Sequence, residues 1–167
     1  LAFAAFFVLK ETLREREVTA VVNTDAEHRV EESQFLGTAT QITGHPWLLV
    51  PLESDQKYDQ VYFSKSATAA RNYGFVSASV PARWLYPHNR FLIVDAIQLP
   101  GAEFYKEDNV TAVLSFVVVQ RDTDKDERLT PKDSSVLVFT RPDGTGSTVV
   151  LENVRRIVSQ ELLQEEI

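Results

Sequence analysis

The sequence predicts a mainly β protein, an antiparallel meander of short strands arranged as propeller-like blades or as a sandwich, behind an N-terminal helix. Three observations predict it. After Glu17 the apolar residues fall into period-two or β-branched runs of strand length. Turn formers separate these runs at short intervals, at Gly44-His45-Pro46, Pro87-His88-Asn89, Pro100-Gly101 and Asp143-Gly144. Helical spacing is confined to the two ends of the chain.

Residues 1–17 form the first unit. Leu1 to Leu9 are all apolar, about half of the ~20 residues that a helix needs to cross a bilayer. They are expected to be the end of a transmembrane or signal-anchor helix, with a short core helix or strand as the alternative. The absence of Met, even at the first position, fits a processed or longer natural N-terminus. Lys10 to Glu17 mix both charge signs at helical spacing. Lys10, Arg14 and Arg16 would favour a cytoplasmic flank, against the periplasmic placement reached below.

Residues 18–167 read as one β-rich domain. Val18 to Val22 is a strand, and Asn23 to Ser33 a polar loop or exposed edge. Phe35 to Thr43 and Pro46 to Val50 are two further strands. Glu53 to Asp59 reads as a polar break, Gln60 to Phe63 as a short aromatic run, and Ser64 to Asn72 as a loop or one helical turn. Phe75 to Ser79 and Arg83 to Tyr86 form a hairpin about Val80-Pro81-Ala82. Arg90 to Leu99 is a strong strand. Val110 to Gln120, Val-rich and almost wholly apolar, is a central strand rather than a helix. Val136 to Thr140 and Thr148 to Leu151 flank a turn with Asp143-Gly144 at its tip. Val154 to Ile167 fits either a helix or a strand.

Composition narrows the function classes. The chain has 167 residues, 44% hydrophobic and 25% charged, which suits one globular domain. It contains no Cys, so disulfides and thiolate chemistry are excluded. Its net charge of −7 and the lack of a basic stripe with interleaved aromatics argue against nucleic acid as a partner.

One segment names a chemistry. Asp122-Thr-Asp124-Lys-Asp126-Glu-Arg128-Leu-Thr130-Pro-Lys-Asp133 places Asp at positions 1, 3, 5 and 12 of a twelve-residue loop. Calcium takes six to eight hard oxygens, and a loop of this spacing supplies them from alternate residues. The expected ligands are Asp122, Asp124, Asp126, the Arg128 carbonyl, Thr130 through water, and Asp133. Leu129 is apolar, as needed to pin the loop to a core. Thr130-Pro131 suits the start of a helical turn with Asp133 in its first turn. The loop resembles the EF-hand superfamily, in its dockerin-like variant because position 12 is Asp. It departs at Glu127, where the family has Gly; a turn kept there requires positive φ from a non-Gly residue. A strand replaces the entering helix, so calcium would clip a β-hairpin.

Other constellations are weaker. His28, His45 and His88 lie in different turns without zinc spacing. No nucleophile elbow, phosphate loop or dinucleotide fingerprint occurs. Asp95, Glu103 and Asp108 read as solvated acids. Trp47, Trp84, Tyr86 and Phe91 read as packing residues, with an exposed platform for sugar or a protein as the alternative. The apolar start, Arg83-Trp-Leu-Tyr-Pro87 with Phe91-Leu-Ile-Val, and the Asp-rich loop followed by Leu137-Val-Phe-Thr-Arg-Pro-Asp-Gly144 together resemble proteobacterial envelope proteins with propeller-like strand repeats. The Arg-Pro-Asp-Gly turn is similar to the repeat of TolB-type propellers. That resemblance implies an envelope location and a binding role. The expected function is a non-catalytic accessory domain with structural calcium, at the inner membrane facing the periplasm, with a protein partner at or in the membrane. A carbohydrate- or ligand-binding module is the alternative.

Overall fold

The computed structural model describes residues 22–23, 32–60, 63–100 and 110–160. The strands among them are β1 (Val22–Asn23), β2 (Glu32–Leu36), β3 (Thr40–Gln41), β4 (Leu48–Gln60), β5 (Phe63–Val76), β6 (Arg83–Trp84), β7 (Leu92–Pro100), β8 (Thr111–Val119), β9 (Arg128–Leu129), β10 (Ser135–Thr140) and β11 (Thr148–Val154). The chain is mainly β, and no helix occurs among the described residues. The expected N-terminal helix lies outside them.

Nine strands form one antiparallel sheet in the order β11-β10-β8-β7-β5-β4-β2, with β3 beside β4 and β6 beside β5. Along this path spatial order equals chain order, the meander that the regular punctuation implied. Three hairpins carry it: β4–β5, β7–β8 and β10–β11.

Several expectations are corrected here. Glu53 to Asp59 is not a break, and Ser64 to Asn72 is neither a loop nor a helical turn; both belong to the long hairpin of β4 and β5, paired from Leu48↔Val76 to Gln60↔Phe63. A ladder is made by backbone groups, so a two-stranded extension can form from residues whose side chains give no apolar alternation. The expected strand Phe35 to Thr43 is also split. Gly37 interrupts it and donates its N–H to the Pro51 carbonyl at 2.9 Å. After β11, residues 155–160 are neither helix nor strand.

The sheet folds over on itself where β5 meets β7, joined by the single pair Ala70↔Ile93. Leu49 and Phe75 from one half then pack against Leu114, Phe116, Val118 and Val138 from the other. The Phe75 and Phe116 rings meet edge-on at 6.4 Å and Tyr73 lies 5.4 Å from Phe116. A second cluster lies on the opposite face of β7 and β8, where Leu92 and Val119 are covered by Val22 of β1 and Leu129 of β9. From Leu114 to Val119 the central strand β8 is thus buried on both faces, which explains its largely apolar run.

Candidate metal centre

The loop between β8 and β10 begins as soon as the central strand leaves the sheet. Its local geometry follows from short acidic side chains turning back on their own backbone. Asp122 accepts from Lys125 N–H at 2.6 Å and, with its second oxygen, from Glu127 N–H at 2.8 Å. Asp124 accepts from Asp126 N–H at 3.3 Å, and Asp126 from Arg128 N–H at 3.0 Å. Each turn folds the next Asp toward the same point. The carboxylates of Asp122, Asp124 and Asp126 consequently lie within 4.8 Å of one another.

Tight winding needs left-handed backbone. Lys125 has φ 63° and Glu127 φ 62°. The position where glycine is missing therefore keeps the turn, at a cost of about 1–2 kcal/mol for a residue with a Cβ. The same conformation at Lys125 has no sequence signal.

The other expected ligands are placed differently. Asp133 is buried, with 1% of its surface exposed. One of its oxygens accepts from Thr123 N–H at 2.6 Å, from the Thr123 hydroxyl at 2.9 Å and from Asp124 N–H at 3.4 Å. The other accepts from Thr130 N–H at 2.9 Å. Asp133 ties the two ends of the loop together and lies outside the cluster of three. Thr130 is buried as well, its hydroxyl accepting from Lys132 N–H at 3.2 Å. Arg128 pairs through its backbone with Asn23. Leu129, 2% exposed, pairs with Val22 and enters the second core cluster, so the loop is pinned as its apolar residue suggested.

The electrostatics separate the acids. Desolvation by the surrounding loop and the neighbouring charges of Asp126, Asp133 and Asp122 push the exposed Asp124 carboxyl up from its ordinary value, against the hydrogen bond from Asp126 N–H. Burial acts in the same direction on Asp133, but the donors Thr123, Thr130 and Asp124 outweigh it and hold that group below the usual carboxylate range. One carboxylate is thus held ionised by hydrogen-bond donors, while three others crowd together.

The remaining candidates scatter. Trp47, Tyr86 and Phe91 pack against the main core, whereas Trp84 is 46% exposed. His45 reaches the Thr111 carbonyl at 2.7 Å, and His88 lies against Tyr86 and Phe91. Asp95 is exposed; His28, Glu103 and Asp108 lie outside the described residues. No helix among the described residues is long and apolar enough to cross a membrane. No family model, curated protein or solved structure matches the chain. The likeness to TolB-type envelope proteins accordingly rests on the sequence motifs alone.

Proposed function

We propose that this chain is a non-catalytic, sandwich-like β domain that carries a structural calcium site and serves in protein–protein assembly at the bacterial envelope. One observation carries the calcium reading: three alternate carboxylates converge on a turn whose backbone already has the required left-handed residues. Asp122, Asp124 and Asp126, with the Arg128 carbonyl, supply hard oxygens at one end of the loop, and water would complete the shell. Asp133 shapes the loop from behind. Because Leu129 belongs to the core, ion binding would stabilise the β8–β10 connection rather than open a groove, which suits a clip more than a sensor.

The envelope location rests on the apolar Leu1 to Leu9 and on the motif resemblance. A carbohydrate module ranks second. Trp84 is exposed as that reading requires, yet its neighbours on the same face are mostly aliphatic and offer few hydrogen bonds.

Thermal unfolding in calcium against chelator tests the metal. At free calcium one hundred times the dissociation constant, the stabilisation is about 2.7 kcal/mol, or roughly 5–10 °C in Tm for a domain of this size. Magnesium should give less. An unchanged melting curve at millimolar calcium would refute the site.

A further inference from the structure

Strands β8 and β10 have a second face, turned away from the main core. Alternate residues of a strand share a face, and directly paired residues of neighbouring strands share it too. Phe116, Val118 and Val138 belong to the main core. Ser115 and Val117 of β8 therefore stand on the other side, with their partners Phe139 and Leu137 of β10. Val22 and Leu129 pack at one end of this face, on Leu92 and Val119. Farther along it, Leu137 is 5% exposed, Val117 9% and Ser115 1%. These three belong to neither core cluster, so a further piece of chain must lie on them.

The route of the chain after β11 supplies it. At the end of β11, Val154 pairs with Ser135, and the Ser135 hydroxyl donates to the Val154 carbonyl at 3.0 Å. Farther on, the Ser115 hydroxyl donates to the side-chain carbonyl of Gln160. Ser115 lies two strands across from Val154 and several residues along the ladder, ~17 Å away by ordinary strand spacings. Residues 155–160 span at most ~20 Å when extended. They cross β10 obliquely, between Ser135 and Phe139, where Leu137 stands. Ile157, near the middle of this crossing, is half-buried, while Arg155, Arg156, Val158 and Ser159 are exposed. Ile157 is thus the residue turned toward the sheet.

We propose that residues 155–160 form a releasable strap, with Ile157 seated on Leu137 and Gln160 latched to Ser115. Its hold is slight beside that of the sheet beneath it. The segment has no backbone ladder, and most of its side chains face solvent. The Gln160 amide nitrogen is buried without a partner, a cost that docking must offset. Docked, the strap covers Val117 and Leu137. Released, it bares them beside the edge strand β11, whose Val150 and Leu151 are themselves exposed. Cover and covered surface belong to one chain, so the strap sets how often this apolar strip is open, and any partner for the strip must compete with it. The inference is independent of both the calcium site and the assembly role proposed above.

A spin label on the strap tests it. The chain has no Cys, so Val158→Cys, at a position 86% exposed, carries a single label on the whole chain. Its spectrum should resolve an immobile and a mobile population. Ile157→Ser should raise the mobile-to-immobile ratio about tenfold, as expected for losing half of an isoleucine's burial. Ser115→Ala, which leaves the Gln160 amide without its donor, should raise it about fivefold. Both variants should bind more of the hydrophobic dye ANS, with unchanged circular dichroism. A single immobile population that neither variant shifts would mean fixed packing, and a label fully mobile in the parent chain would mean no docking; either result overturns the inference.

Discussion

Glu127→Gly is the sharpest test of the loop geometry. Glu127 has φ 62° and donates its N–H to Asp122, so the backbone is held in the left-handed region by the hydrogen bond that shapes the loop. A residue with a Cβ costs about 1–2 kcal/mol there. Glycine removes that strain but makes the unfolded chain more disordered by about 0.4–1 kcal/mol. The net gain is about 0.5–1 kcal/mol, a Tm rise of roughly 1–4 °C. Glu127→Ala separates strain from charge, because it removes the carboxylate and keeps the Cβ. Thermal denaturation in chelator should therefore show Gly more stable than Ala. In calcium the gain should persist, since the turn is already wound before the ion binds. If Gly is no more stable than Ala, residue 127 is not held at positive φ and the reasoning about the loop fails.

Other substitutions follow from the same structure. Asp133→Asn should cost about 2–3 kcal/mol in urea unfolding even in chelator, because its oxygens serve buried donors from Thr123 and Thr130. Leu129→Ala should cost about 3 kcal/mol by emptying part of the second core cluster, and the calcium-induced Tm shift should shrink with it. Gly144→Ala should lower stability by about 3 kcal/mol, since φ is 78° and the new Cβ would fall 2.4 Å from the Phe75 ring; an unchanged Tm would refute that packing. Asp143 is held below its ordinary value first by the Thr145 hydroxyl, with burial opposing and Thr145 N–H and Arg83 adding to the effect. A depressed carboxylate stabilises above its unfolded value and loses that contribution as pH falls through the folded one. The stability gap between the native chain and Asp143→Asn should thus be constant above about pH 5 and close below about pH 4.

What could be read in advance depended on whether side chains or backbone made the element. The run Val110 to Gln120 announced the central strand because both its faces had to be apolar. The alternate Asp residues and Leu129 announced the loop, since spacing fixes which side chains meet. Glu127 gave warning of its own backbone angle; Lys125 gave none, because nothing in a lysine marks a left-handed turn. The long hairpin of β4 and β5 was hidden, as residues 53–60 pair with 63–70 without an apolar period. Asp133 was legible as an acid of the loop, but not as an acceptor for its own backbone, which depends on burial. The pairing of Val22 with Leu129 joins residues too far apart in sequence for any local pattern to show.

The meander also orders assembly. Each sheet strand along the main path lies beside its predecessor, so most pairings close short loops, which are fast and cost little entropy. The contact between β1 and β9 is the exception by sequence separation. Once the sheet stands, however, only residues 24–31 separate β1 from its anchored neighbour β2, and the closure becomes a short one. The β1–β9 contact should therefore form last in refolding, and amide exchange at Val22 and Leu129 should be the first to lose protection when the domain is mildly destabilised.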